Sequence, residues 1–110
     1  VTYAYLASCY THKDPAVRIA RYEAACKAAA KLMLSGEVIF APIPHSHPIE
    51  QHFPERMSGE WWMSQDLPIL DKAGKLIVLM LDGWKESYGV AREIEYARDK
   101  GIPIEYLEAE

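Results

Sequence analysis

Apolar residues in this chain gather into short unbroken runs, and between the runs they recur at helical spacing. Thr2 to Ser8 is one such run, with Tyr3, Tyr5 and Leu6, and it stops at polar residues, which predicts a buried strand. From Ala16 to Leu34 the positions Ile19, Tyr22, Cys26, Ala29, Ala30 and Met33 recur at helical spacing, and Gly36 is placed to end that helix. Glu37 to Ile43 reads as a second strand whose continuous apolar character suits cover on both faces. The polar stretch from Pro44 to Gly59, with Pro44, Pro48 and Pro54, predicts a long loop. Glu60 to Lys72 then looks helical around Trp61, Trp62, Leu67 and Leu70, with Pro68 expected to kink the helix or start a new turn.

Lys75 to Leu81 is the clearest strand, ended by Asp82 and Gly83. Tyr88 to Lys100 is a helix with Val90, Ile94 and Ala97 on one face, and Ile102 to Leu107 is a last strand that Pro103 suits to a sheet edge. Strands alternating with helices predict one domain over residues 1–110, a small Rossmann- or flavodoxin-like α/β/α sandwich of three layers with a mainly parallel sheet of four to five strands. Ligands of such sheets bind beyond the carboxyl ends of the strands where the winding reverses. That rule gathers three loops at one mouth: Ser8 to Asp14, Pro42 to His47, and Asp82 to Gly89.

Composition narrows the partners. Half of the 110 residues are apolar, a quarter are charged and the net charge is -4, the balance of a folded domain. An acidic chain lacks the basic face that polymeric nucleic acid needs. Cys9 and Cys26 match no metal knuckle or disulfide framework and read as free thiols of a reducing compartment, so a cytoplasmic location is expected. The first apolar run is too short for a signal peptide, and no stretch approaches the ~18 apolar residues of a membrane span.

Candidate chemistry concentrates in Asp82 to Ala97. Ser87 and Gly89 fall where a loop enters a helix, and free backbone N–H groups there bind anions, so a serine hydroxyl with a glycine beside it admits a phosphate. Capping the helix is the commoner task of such a serine. Glu93 lies one turn beyond Gly89 on the same face, so it is either a solvated surface carboxylate or a group aimed at the same mouth, where the helix dipole would favour its ionised, nucleophilic form. Asp66, just before Leu67-Pro68, reads as a cap for a new turn or as the second carboxylate of a glycosidic-bond site. Tyr5 is a core aromatic or a hydroxyl at the pocket floor. His45, His47 and His52 lack a matching acidic or thiol partner for a metal, so contact with a substrate base or plain loop polarity is preferred for them, and no metal is expected. Trp61 and Trp62 cannot both face one core from adjacent helical positions, so one of them is a candidate for stacking on a ligand or covering a subunit contact.

Taken together, Tyr5-Leu6-Ala7 on the first strand, Asp66-Leu67 before the third, and Ser87-x-Gly89-Val90-x-x-Glu93-x-x-Tyr96-Ala97 resemble the nucleoside 2-deoxyribosyltransferase-like superfamily. That superfamily includes deoxynucleoside 5′-monophosphate N-glycosidases. Similarity is greatest to a branch of small bacterial and phage proteins that share a Ser-His-Pro-Ile run, here Ser46 to Ile49. The resemblance implies an N-glycosidase or deoxyribosyltransferase acting on a small nucleotide or nucleoside without a cofactor. Glu93 would attack the anomeric carbon, Asp66 would hold the sugar hydroxyl or assist proton transfer to the base, and Tyr5 would orient Glu93. Ser8, Cys9, His45, His47, Asp82, Ser87 and Gly89 would bind substrate. Serine at 87, where transferases of unphosphorylated nucleosides tend to carry aspartate, points to a 5′-phosphate. A homo-oligomer is expected, since similar enzymes complete their sites across subunits. Departures from the family pattern are Ser8-Cys9 for the usual Gly-Pro or Gly-Ser, Arg92 for a small or apolar residue, and Glu95 for glycine.

Overall fold

The structure is a computed structural model that describes residues 2–110. Its elements run β1 (Ala4–Ala7), α1 (Pro15–Leu34), β2 (Ile39–Phe40), α2 (Pro42–Glu50), α3 (Gly59–Leu70), β3 (Lys75–Met80), a 3₁₀ turn (Trp84–Glu86), α4 (Tyr88–Lys100) and β4 (Ile104–Glu108). Four parallel strands lie in the order β2-β1-β3-β4, so the winding reverses between β1 and β3. Tyr5 pairs with Leu76 and Ala7 with Val78 across that central junction.

Strand pleating sends alternate residues to two cores. Tyr5, Ala7, Leu76 and Val78 pack with Leu70 of α3 and Val90 and Ala97 of α4, while Ala4, Leu6, Ile77 and Leu79 pack with Ala29 of α1 and with Ala41. Every residue of β1 is buried, which is why it reads as an apolar run rather than an alternation. Helix α4 ends at Gly101, whose left-handed φ of 71° lets Ile102 N–H return to the Ala97 carbonyl at 2.8 Å and turns the chain into β4.

Four expectations change. The stretch taken as a loop from Pro44 begins instead with a helix at Pro42, because prolines at 42 and 44 sit in its first turn, where no N–H is required. β2 is consequently two residues long, half-buried and at the sheet edge rather than covered on both faces. The buried face of α1 follows Ala25 and Ala29, and Ile19 and Met33 are exposed: small side chains let the helix approach the sheet, and the bulky ones turn outward. Helix α3 continues through Pro68 as one element, with Ser58 as its cap.

Candidate active site

A cavity of about 1030 Å³ opens beyond the carboxyl ends of β1 and β3. Its walls come from the β1–α1 loop (Ser8, Tyr10), α2 (Ser46, Glu50), α3 (Trp62, Asp66) and the start of α4 (Ser87, Gly89, Glu93). That volume accommodates a nucleotide-sized ligand.

Glu93 is the more deeply buried of two carboxyls, with Asp66, on the cavity wall. It falls on the buried face of α4 with Val90 and Ala97 and is 3% exposed. Tyr5, wholly buried on β1, does not reach the cavity surface but donates its hydroxyl to Glu93 Oε2. Burial pushes the Glu93 carboxyl up to about 8, opposed by the Tyr5 hydrogen bond and assisted by the charge of Asp66. The helix dipole expected to hold Glu93 ionised is outweighed, because its effect fades beyond the first turn and Glu93 lies in the second. Asp66, 8% exposed on α3, is pushed up to about 6 by burial and looks into the same cavity. It caps no helix. Burial, then the neighbouring Glu93 and Asp66, hold the Tyr5 phenol well above its ordinary range, so Tyr5 stays a donor.

Ser87 is the cap of α4, its Oγ accepting from Val90 N–H at 3.2 Å, and it also borders the cavity. The two readings of this serine are compatible, since an oxygen that accepts a cap bond keeps its own proton to donate. At Gly89 a methyl would meet only Met63 Cε at 3.5 Å and Ser87 Oγ at 3.9 Å, ordinary contacts, so the protein's own packing does not demand glycine there. Ser8 lines the cavity at 6% exposure, and its Oγ has no hydrogen-bond partner among the described residues.

Other named residues stand off the cavity surface. Cys9 is buried behind the wall, its Sγ 3.6 Å from the Asp82 carbonyl, and burial raises its thiol pKa. The Asp82 side chain is exposed outside the cavity. His45 lies against Phe40. His47 bonds Tyr10 Oη through Nδ1 at 2.6 Å and stacks on Tyr22 at 4.1 Å, so it braces a wall residue from behind. Among the described residues no group of three His, Cys, Asp or Glu side chains converges as metal ligands would. Arg92 and Glu95 pair with each other at 2.9 Å on the outer side of α4, away from the cavity. Trp62 reaches the cavity and also stacks on Phe53, with Trp61 edge-on beside it.

Sequence reasoning missed Tyr10, Arg21 and Glu50 on the walls. Arg21 carried a signal: it lies one turn before Ala25, in line with the buried stripe of α1.

The doubly wound parallel sheet with its flanking helices has the fold seen in a nucleoside 2-deoxyribosyltransferase. The 2-deoxyribosyltransferase of the psychrotolerant bacterium Bacillus psychrosaccharolyticus, a biocatalyst for nucleoside synthesis, superposes with a TM-score of 0.66 at 21% identity, over 96% of this chain and 71% of that one. The chain belongs to the family described as a domain of unknown function, DUF1937, which matches residues 2–109. No curated protein matches the sequence. No helix of the described residues is long and apolar enough to cross a membrane.

Proposed function

We propose that the protein cleaves the N-glycosidic bond of a nucleoside 5′-monophosphate by double displacement, with Glu93 as nucleophile. The observation that carries this reading is the buried Glu93 carboxyl, bonded to Tyr5 and sharing a nucleotide-sized cavity with a second buried carboxyl, Asp66. Glu93 attacks C1′ as the bond to the base breaks, and Asp66 delivers a proton to the departing base. Water, or a second base, then attacks C1′ of the glycosyl ester, frees Glu93 and returns a proton to Asp66. The 5′-phosphate sits against the α4 amino terminus, accepting a hydrogen bond from the Ser87 hydroxyl and lying over Gly89.

Titration of the two carboxyls leaves one proton for the pair to share, and turnover then runs through the minor form in which that proton lies on Asp66 and Glu93 is ionised. A pair that loses its protons near 6 and near 8 holds one proton between those values. The same burial favours a second reading, a nucleotide-binding domain without turnover, because at neutral pH it leaves the proton mainly on Glu93.

The deciding experiment follows free base released from a panel of deoxy- and ribonucleoside 5′-monophosphates and their nucleosides, with Glu93→Gln as control. Release from monophosphates that the variant abolishes is the expected result. Release from nothing, with a nucleotide-induced melting shift, replaces the enzyme by the binding domain. The reading includes a homo-oligomer, which a monomeric mass by light scattering removes.

A further inference from the structure

Arg21 stands on the second turn of α1 and reaches across the carboxyl edge of the sheet. Its Nη1 donates to the Thr11 carbonyl at 3.0 Å and its Nη2 to the Asp82 carbonyl at 3.3 Å. Those carbonyls belong to the loops that leave the adjacent central strands β1 and β3, so one guanidinium ties both sides of the winding reversal. Gly83 makes room for it. Its φ is +92°, and a Cβ there would come within 2.6 Å of Arg21 Nη2.

Two carbonyls fix the guanidinium but do not neutralise it. Five N–H donors are available and two are used. Among the described residues no carboxylate forms an ion pair with Arg21. The other cations on the cavity differ: Arg56 is paired with Glu50 at 3.7 Å, and Lys13 is exposed on a loop. Arg21 therefore offers the cavity a positioned charge that no protein carboxylate claims, and it is available to an anion. An independent observation points the same way. Ser8, on the same cavity and at the end of β1, holds a buried hydroxyl that finds no partner among the described residues, a deficit that a ligand oxygen would remove.

We infer that Arg21 is a specificity-determining residue that binds the 5′-phosphate of the substrate and sets the preference for nucleotides over nucleosides. This rests on the nucleotide reading above. It adds a formal charge from α1 to a site otherwise served by the hydroxyls of Ser8 and Ser87 and the amino terminus of α4. It also couples recognition to loop geometry, since the group that meets the phosphate is the one that pins both loops.

The test compares wild type with Arg21→Met and Arg21→Lys. Its main readout is the ratio of kcat/KM for a monophosphate to kcat/KM for its nucleoside. Calorimetric titration with 2-deoxyribose 5-phosphate follows binding without turnover. Arg21→Met is expected to lower the ratio, and the affinity for the sugar phosphate, by roughly 10- to 100-fold, and Arg21→Lys to recover part of both. A loss that falls equally on nucleotide and nucleoside makes Arg21 a loop pin only and overturns the inference, as does an unchanged ratio. Wild type that neither releases base nor binds the sugar phosphate overturns the proposed function itself, and this inference with it.

Discussion

Replacing Glu93 by Gln is expected to stabilise the protein in alkali while abolishing the proposed release of base. The carboxyl is 3% exposed and its folded-state pKa is pushed from 4.5 up to about 8 by burial. A raised value means that the folded chain binds the proton more tightly than the unfolded one. Stability from this group is complete below 4.5 and is lost as pH rises to about 8. From pH 5 to pH 9 the loss comes to about 4 kcal/mol at 1.36 kcal/mol per pK unit. Glutamine keeps an oxygen for the Tyr5 hydroxyl and does not titrate, so the variant escapes that loss. Asp66, raised to about 6, titrates in both chains and largely cancels in the difference. Urea melts of both proteins at the two pH values measure the effect. With a slope near 2 kcal/mol/M, the gap between midpoints should move by about 2 M in favour of the variant on going to pH 9. A gap that stays constant with pH would falsify the claim that Glu93 is a buried acid with a raised pKa.

Gly89→Ala should raise stability by about 0.5–1 kcal/mol, since alanine is the better helix former and meets only ordinary contacts, yet weaken the binding of 2-deoxyribose 5-phosphate; melting and titration together check this, and undiminished binding would remove the phosphate from that spot. Tyr5→Phe takes away the hydrogen bond that opposes the rise of Glu93, so destabilisation of about 1–3 kcal/mol and an alkaline shift of the Glu93 titration are expected in urea melts across pH. The pH profile of base release should be a bell with limbs near 6 and 8, because below the first value both carboxyls are protonated and above the second neither can give a proton; a plateau through pH 9 would rule out a carboxyl as the acid. Leu70→Ala, at a wholly buried position under α3, should cost about 2–5 kcal/mol by thermal or urea melting.

Those elements whose apolar pattern coincides with their burial were legible in the sequence. β3 is an unbroken run because Leu76 to Leu79 are buried on both faces, and α4 kept its bounds because Ser87 and Gly101 mark its ends with side-chain and backbone chemistry. α2 was hidden by its prolines, which suggest a loop until one counts where in a first turn they fall. On α1, hydrophobicity ranked Ile19 and Met33 above Ala25, whereas the closeness of helix to sheet decided in favour of the smaller side chain. The cavity shows the same division. Asp66, Ser87, Gly89 and Glu93, which line the cavity, were named from local signals: a helix entry at Ser87 and Gly89, one helical turn from Gly89 to Glu93, and an acid just before Leu67-Pro68. His47 was named for its chemistry, but its ring is turned toward Tyr10 and Tyr22 by a loop and a helix that only the folded chain brings together.

The sheet order also dictates when this chain can fold. β1 is joined to β2 through only two residue pairs, whereas its four-residue pairing is with β3, more than 70 positions later in the chain. The first strand, wholly apolar, thus has no adequate neighbour until β3 has left the ribosome. Contacts this distant in sequence are slow to form, and exposed strand edges invite association in the interval. Tyr5 and Glu93, 88 positions apart, meet only when that long closure is complete. The hydrogen bond behind the cavity wall accordingly waits on that closure, and a spectroscopic signal from Tyr5 would report the closing of the sheet rather than the first steps of folding.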